Sequence, residues 1–199
     1  YNTTDQDSIQ ASTGSNIDSA GTFKQTFDQN QGSIAFWITP EWNGNDGKLH
    51  IIYNTNAYSV NGIYKAADGN LCFDQGWSNI VCTSVSSWTA GTTYNVVFRW
   101  SRYATLSGAN YFSVSINDTH VFANTVISGS PSSQSLFEIG NDDRSPEVVY
   151  KNPAEALIEG LTIYRRPLFD GTNGIDVGNG DELNLIYNSG TGKDPTLIT

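Results

Sequence analysis

Methionine is absent from this chain of 199 residues, cysteine occurs only twice, and Lys and Arg together number 10. Charged residues of both signs make up only 15% of the sequence, and Asn, Ser, Thr and Gly stand where a cytosolic domain would carry salt-bridging side chains. Each shortage excludes something. With 20 Asp and Glu the net charge is −10, so the clustered cations that hold nucleic acid or an anionic lipid surface are missing. No apolar run is long enough for a membrane-spanning helix, so membrane insertion is not expected. Two Cys and two distant His cannot supply the ligands of a structural zinc site. No initiator Met precedes Tyr1, and the expectation is a processed, secreted chain at an extracellular or cell-surface address.

What is present is a β pattern. Phe112-Ser-Val-Ser-Ile-Asn-Asp-Thr-His-Val-Phe122 alternates apolar and polar residues on both sides of an Asn-Asp turn. That is a hairpin with one face in a core and the other in water. The same period recurs, predicting strands at residues 22–27, 33–39, 49–53, 58–65, 71–73, 80–84, 94–100, 111–116, 120–126, 136–139 and 156–164. Gly, Asn and Asp pairs fill the gaps, as tight turns require. One short helix is expected at 181–187, where Leu183, Ile186 and Tyr187 share a face and Gly190 can end it. Short strands at this density mean an all-β, two-sheet antiparallel sandwich. We expect one sandwich domain over 22–199, preceded by a polar segment, 1–21, that is either its first strand or a strand donated to a neighbour.

Cys72 and Cys82 flank the polar stretch Asp74-Gln-Gly-Trp-Ser-Asn79 and would face each other across a hairpin as a disulfide. Asn2 and Asn117 head acceptor sequons for N-glycosylation, consistent with an oxidising, extracellular setting.

The order of segments resembles the laminin-G-like, concanavalin A-like jelly rolls. Gly32-Ser-Ile-Ala-Phe-Trp-Ile-Thr-Pro40 is similar to their early strand, and Thr93-Tyr-Asn-Val-Val-Phe-Arg-Trp100 with the 111–122 hairpin to their central strands. Phe137-Glu-Ile-Gly-Asn141, then 158–168, is similar to the closing strands, and 181–187 to the terminal helix. Glu159 stands where the family often has Asp. The resemblance implies a jelly-roll β-sandwich, often calcium-stabilised, serving sugar binding, adhesion, surface architecture and, in some relatives, catalysis.

Catalysis is the least expected of these. Glycosidases of this shape align acids in a Glu-x-Asp-x-x-Glu-like run so that acid and base roles can divide; here only Glu155 and Glu159 come near it. Their spacing suits a cation site or a solvated face better. His50 and His120 lie 70 residues apart with no nucleophile motif beside either, and both are expected to be structural.

Calcium wants six to eight oxygens. Asn43-Gly-Asn-Asp46, Asn141-Asp-Asp143 and the loop 170–176 have the composition, with Asp170, Asn173 and Asp176 the best candidates; turn chemistry explains the same residues. Sugar recognition needs an exposed aromatic platform with polar neighbours. Trp77, beside Asp74 and Asn79, and Trp42 in Glu41-Trp-Asn-Gly-Asn45 are the candidates, whereas Trp37 and Trp100 sit inside strands and belong to a core.

The leading expectation is a non-catalytic building block that self-associates or meets a cell-surface partner, forming filaments if the N-terminal segment is donated to the next subunit. The alternative is a lectin-like module with a glycan partner.

Overall fold

The structure, a computed structural model, describes residues 9–12, 30–55, 61–75, 80–103, 105, 106, 108, 111–123, 136–140, 152–171 and 180–191. Among the described residues it is all-β apart from one short helix, as expected. The strands are β1 (Ile9–Ser12), β2 (Gln31–Pro40), β3 (His50–Thr55), β4 (Asn61–Lys65), β5 (Asn70–Gln75), β6 (Ile80–Ser84), β7 (Tyr94–Ser101), β8 (Phe112–Ile116), β9 (Thr119–Ala123), β10 (Leu136–Ile139) and β11 (Ala156–Tyr164). They form a six-stranded sheet in the order β1-β10-β3-β4-β5-β6 and a five-stranded sheet in the order β11-β2-β7-β8-β9. Residues 1–25, 38–93 and 128–158 make one compact unit; 26–37, 94–127 and 159–199 make a second.

The first unit buries Ile51, Ile52, Tyr53, Ile63, Leu71, Phe73 and Val81 from neighbouring strands. Cys72 and Cys82 stand directly opposite each other in the β5–β6 register and are joined by a disulfide. The polar N-terminal segment contributes β1, which pairs antiparallel with β10 of the same chain, Ile9 opposite Ile139. Its four residues therefore serve as a strand of the chain's own sheet.

In the second unit, β7 is buried along almost its whole length, from Asn95 to Ser101. The β8–β9 hairpin turns on Asn117 and Asp118, both at positive φ (46° and 66°), where Asn and Asp are tolerated best. Asn117 of the sequon sits at this turn, its Oδ1 accepting the Asn95 N–H at 2.8 Å. The helix α1 spans Glu182–Tyr187, with Asp181 capping its start through Asn184 N–H. Asn188 in the left-handed conformation ends it, two residues before the expected Gly190. Leu183 and Ile186 pack with Ala35, Val97 and Leu168, and Tyr187 stacks on the half-buried Trp37 at 6.1 Å.

Two cations in this unit, one buried and one half-buried, are neutralised locally. Arg99, fully buried, donates to Asp170 Oδ2 at 2.8 Å and to the Leu168 carbonyl at 2.7 Å. Arg166 forks onto both oxygens of Glu182 at 2.6 Å each, and Glu182 also accepts the Phe169 N–H. Asp170, one of the calcium candidates of the 170–176 loop, is the partner of Arg99. Its carboxylate is buried against Arg99, because a guanidinium removed from water needs an anion more than an exposed turn needs a metal. Asn173 and Asp176 lie outside the described residues, as do 141–143.

Candidate functional site: a polar pocket over a buried ion cluster

Antiparallel pairing places His50 opposite Lys65 where β3 enters the sheet. Lys65 is the last core-facing position of β4, two residues after Ile63, and both are fully buried. An ammonium there needs a counter-ion, and the loop 41–48 supplies it. That loop folds tightly inward. Gly44 N–H donates to the Trp88 carbonyl at 2.9 Å, and a Cβ on Gly44 would lie 1.7 Å from the Val85 oxygen. Glycine is thus required by close backbone approach.

The fold of the loop aims Asp46 between the two strands. Oδ2 meets His50 Nε2 at 2.8 Å, while Oδ1 takes the Lys65 ammonium and the Lys48 N–H. Lys65 also donates to the Lys48 carbonyl at 3.1 Å. Burial raises the Asp46 carboxyl, but hydrogen bonds from Lys65, His50 and the Lys48 backbone outweigh it and hold the group down at about 2. Asp46 is accordingly a committed counter-ion, which corrects its place among the calcium candidates of 43–46.

Trp42 is buried as well, at 4% exposure. One stack runs through Trp42, with His50 at 4.8 Å and Trp88 at 6.0 Å, and its Nε1–H donates to the Ala154 carbonyl at 2.7 Å. The Lys65 ammonium lies 5.4 Å from the Trp42 ring centroid. An exposed sugar platform at Trp42 is thereby ruled out, since its indole N–H and its ring faces already have partners. Trp77 and Asn79 lie outside the described residues. Asp74 is half-buried in β5, opposite Gly62 and Ile80.

Segment 152–155 closes one side. It docks through Ile51 N–H to the Asn152 carbonyl, Ala154 N–H to the Gly140 carbonyl and Glu41 N–H to the Glu155 carbonyl. Glu155 adopts a left-handed φ of 44°, so the strand alternation that would align it with Glu159 does not extend to it. The result is a cavity of about 290 Å³ lined by Lys48, Leu49, His50, Asn152, Pro153 and Glu155. His50 Nδ1 faces the Pro153 carbonyl at 3.2 Å and Glu155 Oε2 at 3.6 Å. With Asp46 on its other nitrogen, the imidazole is fixed in orientation and forms the floor. Lys48, Asn152 and Glu155 are left to offer an ammonium, an amide and a carboxylate to a ligand.

The sequence reading missed this assembly. It treated His50 as structural, which fits the floor, but it passed over Lys65, Asn152 and Pro153. The available signal was a lysine in register with the core-facing Ile63.

No protein-family model matches the chain, and no curated protein sequence does. Solved structures do match in fold. A binding domain of botulinum neurotoxin DC in complex with SialylT aligns with a TM-score of 0.59 at 14% identity, covering 92% of this chain and 39% of that one. A botulinum neurotoxin type C structure, whose cell entry depends on interaction with two ganglioside molecules, aligns at 0.54 and 13% identity over the same shares. A Trypanosoma rangeli sialidase mutant displaying trans-sialidase activity aligns at 0.53 and 17% identity, over 74% of this chain and 22% of that one. The chain therefore spans well under half the length of these proteins. At such identities the likeness shows a shared β-sandwich fold.

Proposed function

We propose that this chain is a carbohydrate-binding module and that the pocket over the Asp46–His50–Lys65 cluster takes one sugar unit. The observation that carries the reading is the pocket's chemistry. Its lining combines Glu155, Asn152 and Lys48 with His50, Leu49 and Pro153, residue types that can offer a carboxylate, an amide, an ammonium and apolar contact. Glu155 accepts from a pair of neighbouring hydroxyls, Asn152 both donates and accepts, and Lys48 donates. The volume lies near the lower end of the ~300–1,000 Å³ usual for small-molecule sites, which suits a single pyranose. Similarity in fold to toxin domains whose descriptions name SialylT and gangliosides supports the same class of ligand.

An extracellular address agrees with the disulfide and with a sequon at the half-buried β8–β9 turn. The filament reading has less support, since β1 already fills an edge position in its own sheet.

A glycan array followed by calorimetry tests the proposal. Asn152→Ala and Glu155→Gln should each weaken the best glycan about tenfold, the loss of one or two good hydrogen bonds. Retention of full affinity by both variants would remove the pocket from consideration. Failure of the wild-type chain to hold any glycan would end the module reading.

A further inference from the structure

Arg102 breaks a rule that the rest of the described chain obeys. Lys65 and Arg99 are fully buried and Arg166 is half-buried, and each has its own carboxylate: Asp46, Asp170 and Glu182. Arg102 is half-buried in the bend after β7, yet its Nε and Nη2 are inaccessible to solvent and have no hydrogen-bond partner. Those two nitrogens form one edge of the guanidinium, the fork that matches a planar carboxylate. Donors buried and unpaired are costly, and a charged group more so. Among the described residues the site holds a cation and no anion.

Beside it stands Tyr103, 69% exposed and the most open of the large hydrophobic side chains described. Its placement is firm. Arg102 N–H donates to the Asn30 carbonyl at 2.7 Å, and Tyr103 N–H donates to Ser101 Oγ at 3.2 Å, so the backbone is held on both sides. An exposed aromatic ring one residue along the chain from an unmatched fork suits a ligand that carries an apolar ring face and one carboxylate. With a net charge of −10 over the chain, a single carboxylate is tolerated where a polyanion is repelled.

We propose that Arg102 and Tyr103 form a second binding site, in the second unit and separate from the His50 pocket, for a sugar bearing one carboxylate. The ring face lies on Tyr103, and the Arg102 side chain turns its Nε/Nη2 edge outward onto the carboxylate. In the free chain that edge is unmatched, so ligand binding supplies the missing acceptor.

The test uses the intact chain with methyl β-D-glucuronide, methyl β-D-glucoside as the neutral control and acetate as the anion control. Calorimetry should show the glucuronide binding at least about tenfold more tightly than the glucoside, a preference that weakens with added salt. Arg102→Gln should erase the preference, and Arg102→Lys, which keeps the charge without the fork, should not restore it. Tyr103→Ala should weaken the glucuronide without changing the glucoside bound at the other pocket. In the wild-type chain, the Arg102 Nε–H resonance should shift on adding glucuronide, a readout independent of any variant's folding. Equal affinity for the two glycosides, retention of the preference by Arg102→Gln, or acetate binding as tightly as the glucuronide would each overturn the proposal. Asn152→Ala should leave the preference intact, so failure of the pocket reading is distinguishable from failure of this one.

Discussion

Removing the carboxylate of Asp46 strands a charge in the first unit. In Asp46→Ala, Lys65 remains at 0% exposure and His50 at 2% with no anion between them. Breaking a buried ion pair from one side costs about 3–5 kcal/mol. Two features return part of this: the Lys48 carbonyl at 3.1 Å from Nζ, and the Trp42 face at 5.4 Å. Each contributes roughly 0.5–1 kcal/mol, leaving a net loss of about 1–4 kcal/mol. Lys65→Met should cost distinctly less. The surviving Asp46 is 18% exposed, keeps His50 and the Lys48 N–H, and the new thioether suits the apolar surroundings. The assay is denaturant unfolding followed by tryptophan fluorescence, in which Trp42 and Trp88 report on this unit directly. A loss under about 1 kcal/mol for Asp46→Ala, or a larger loss for Lys65→Met, would refute the account of Asp46 as the counter-ion.

Acid should weaken the fold through the same group. The Asp46 value in the folded chain, about 2, lies below its ordinary 3.8, so its contribution is fully present above the ordinary value and is lost as pH falls through the folded one. Glu182, lowered by the Arg166 fork against the opposing effect of burial, acts in the same direction. Thermal melts should therefore decline between about pH 4 and pH 2; a flat profile there would count against both pairs. Gly44→Ala should destabilise by about 1–3 kcal/mol and weaken glycan binding, because the Val85 backbone must move and the Asp46 loop with it. Reducing Cys72–Cys82, which closes a loop of sequence separation 10, should lower stability by about 2–3 kcal/mol, read as a fall in melting temperature with reductant.

Period-two alternation identified the strands because a half-buried strand must show one face to water and the other to a core. The 111–122 hairpin bears out the turn, with Asn117 and Asp118 at positive φ, but not the exposed face: Ser113 and Ser115 of β8 are as buried as Phe112 and Val114, and only β9 is partly open. The disulfide was legible for the same reason, since register follows from alternation. The candidate site was not. Trp42 sits in a Gly- and Asn-rich loop, a composition that normally signals exposure, and its burial depends on Ala154, more than a hundred residues away. Nothing local distinguishes Asp46, which neutralises Lys65, from any other turn Asp. Ion pairs such as Arg99–Asp170 join distant stretches, so each partner looks like a surface residue until the sheet places them side by side.

Each unit is stitched from separated stretches of chain. The backbone passes from one to the other at 25/26, 37/38, 93/94, 127/128 and 158/159. Ser33 Oγ illustrates what this demands: it accepts from Leu168 N–H and donates to the Arg166 carbonyl, across 135 and 133 residues. During synthesis, neither unit is complete until the last strand has been made, and the early strands must wait with their apolar faces unmatched. Topology of this kind folds slowly because loop closure precedes reward. Cutting the chain between the stretches of a unit therefore damages it, and variants meant to isolate one binding site are best made by point substitution in the whole chain.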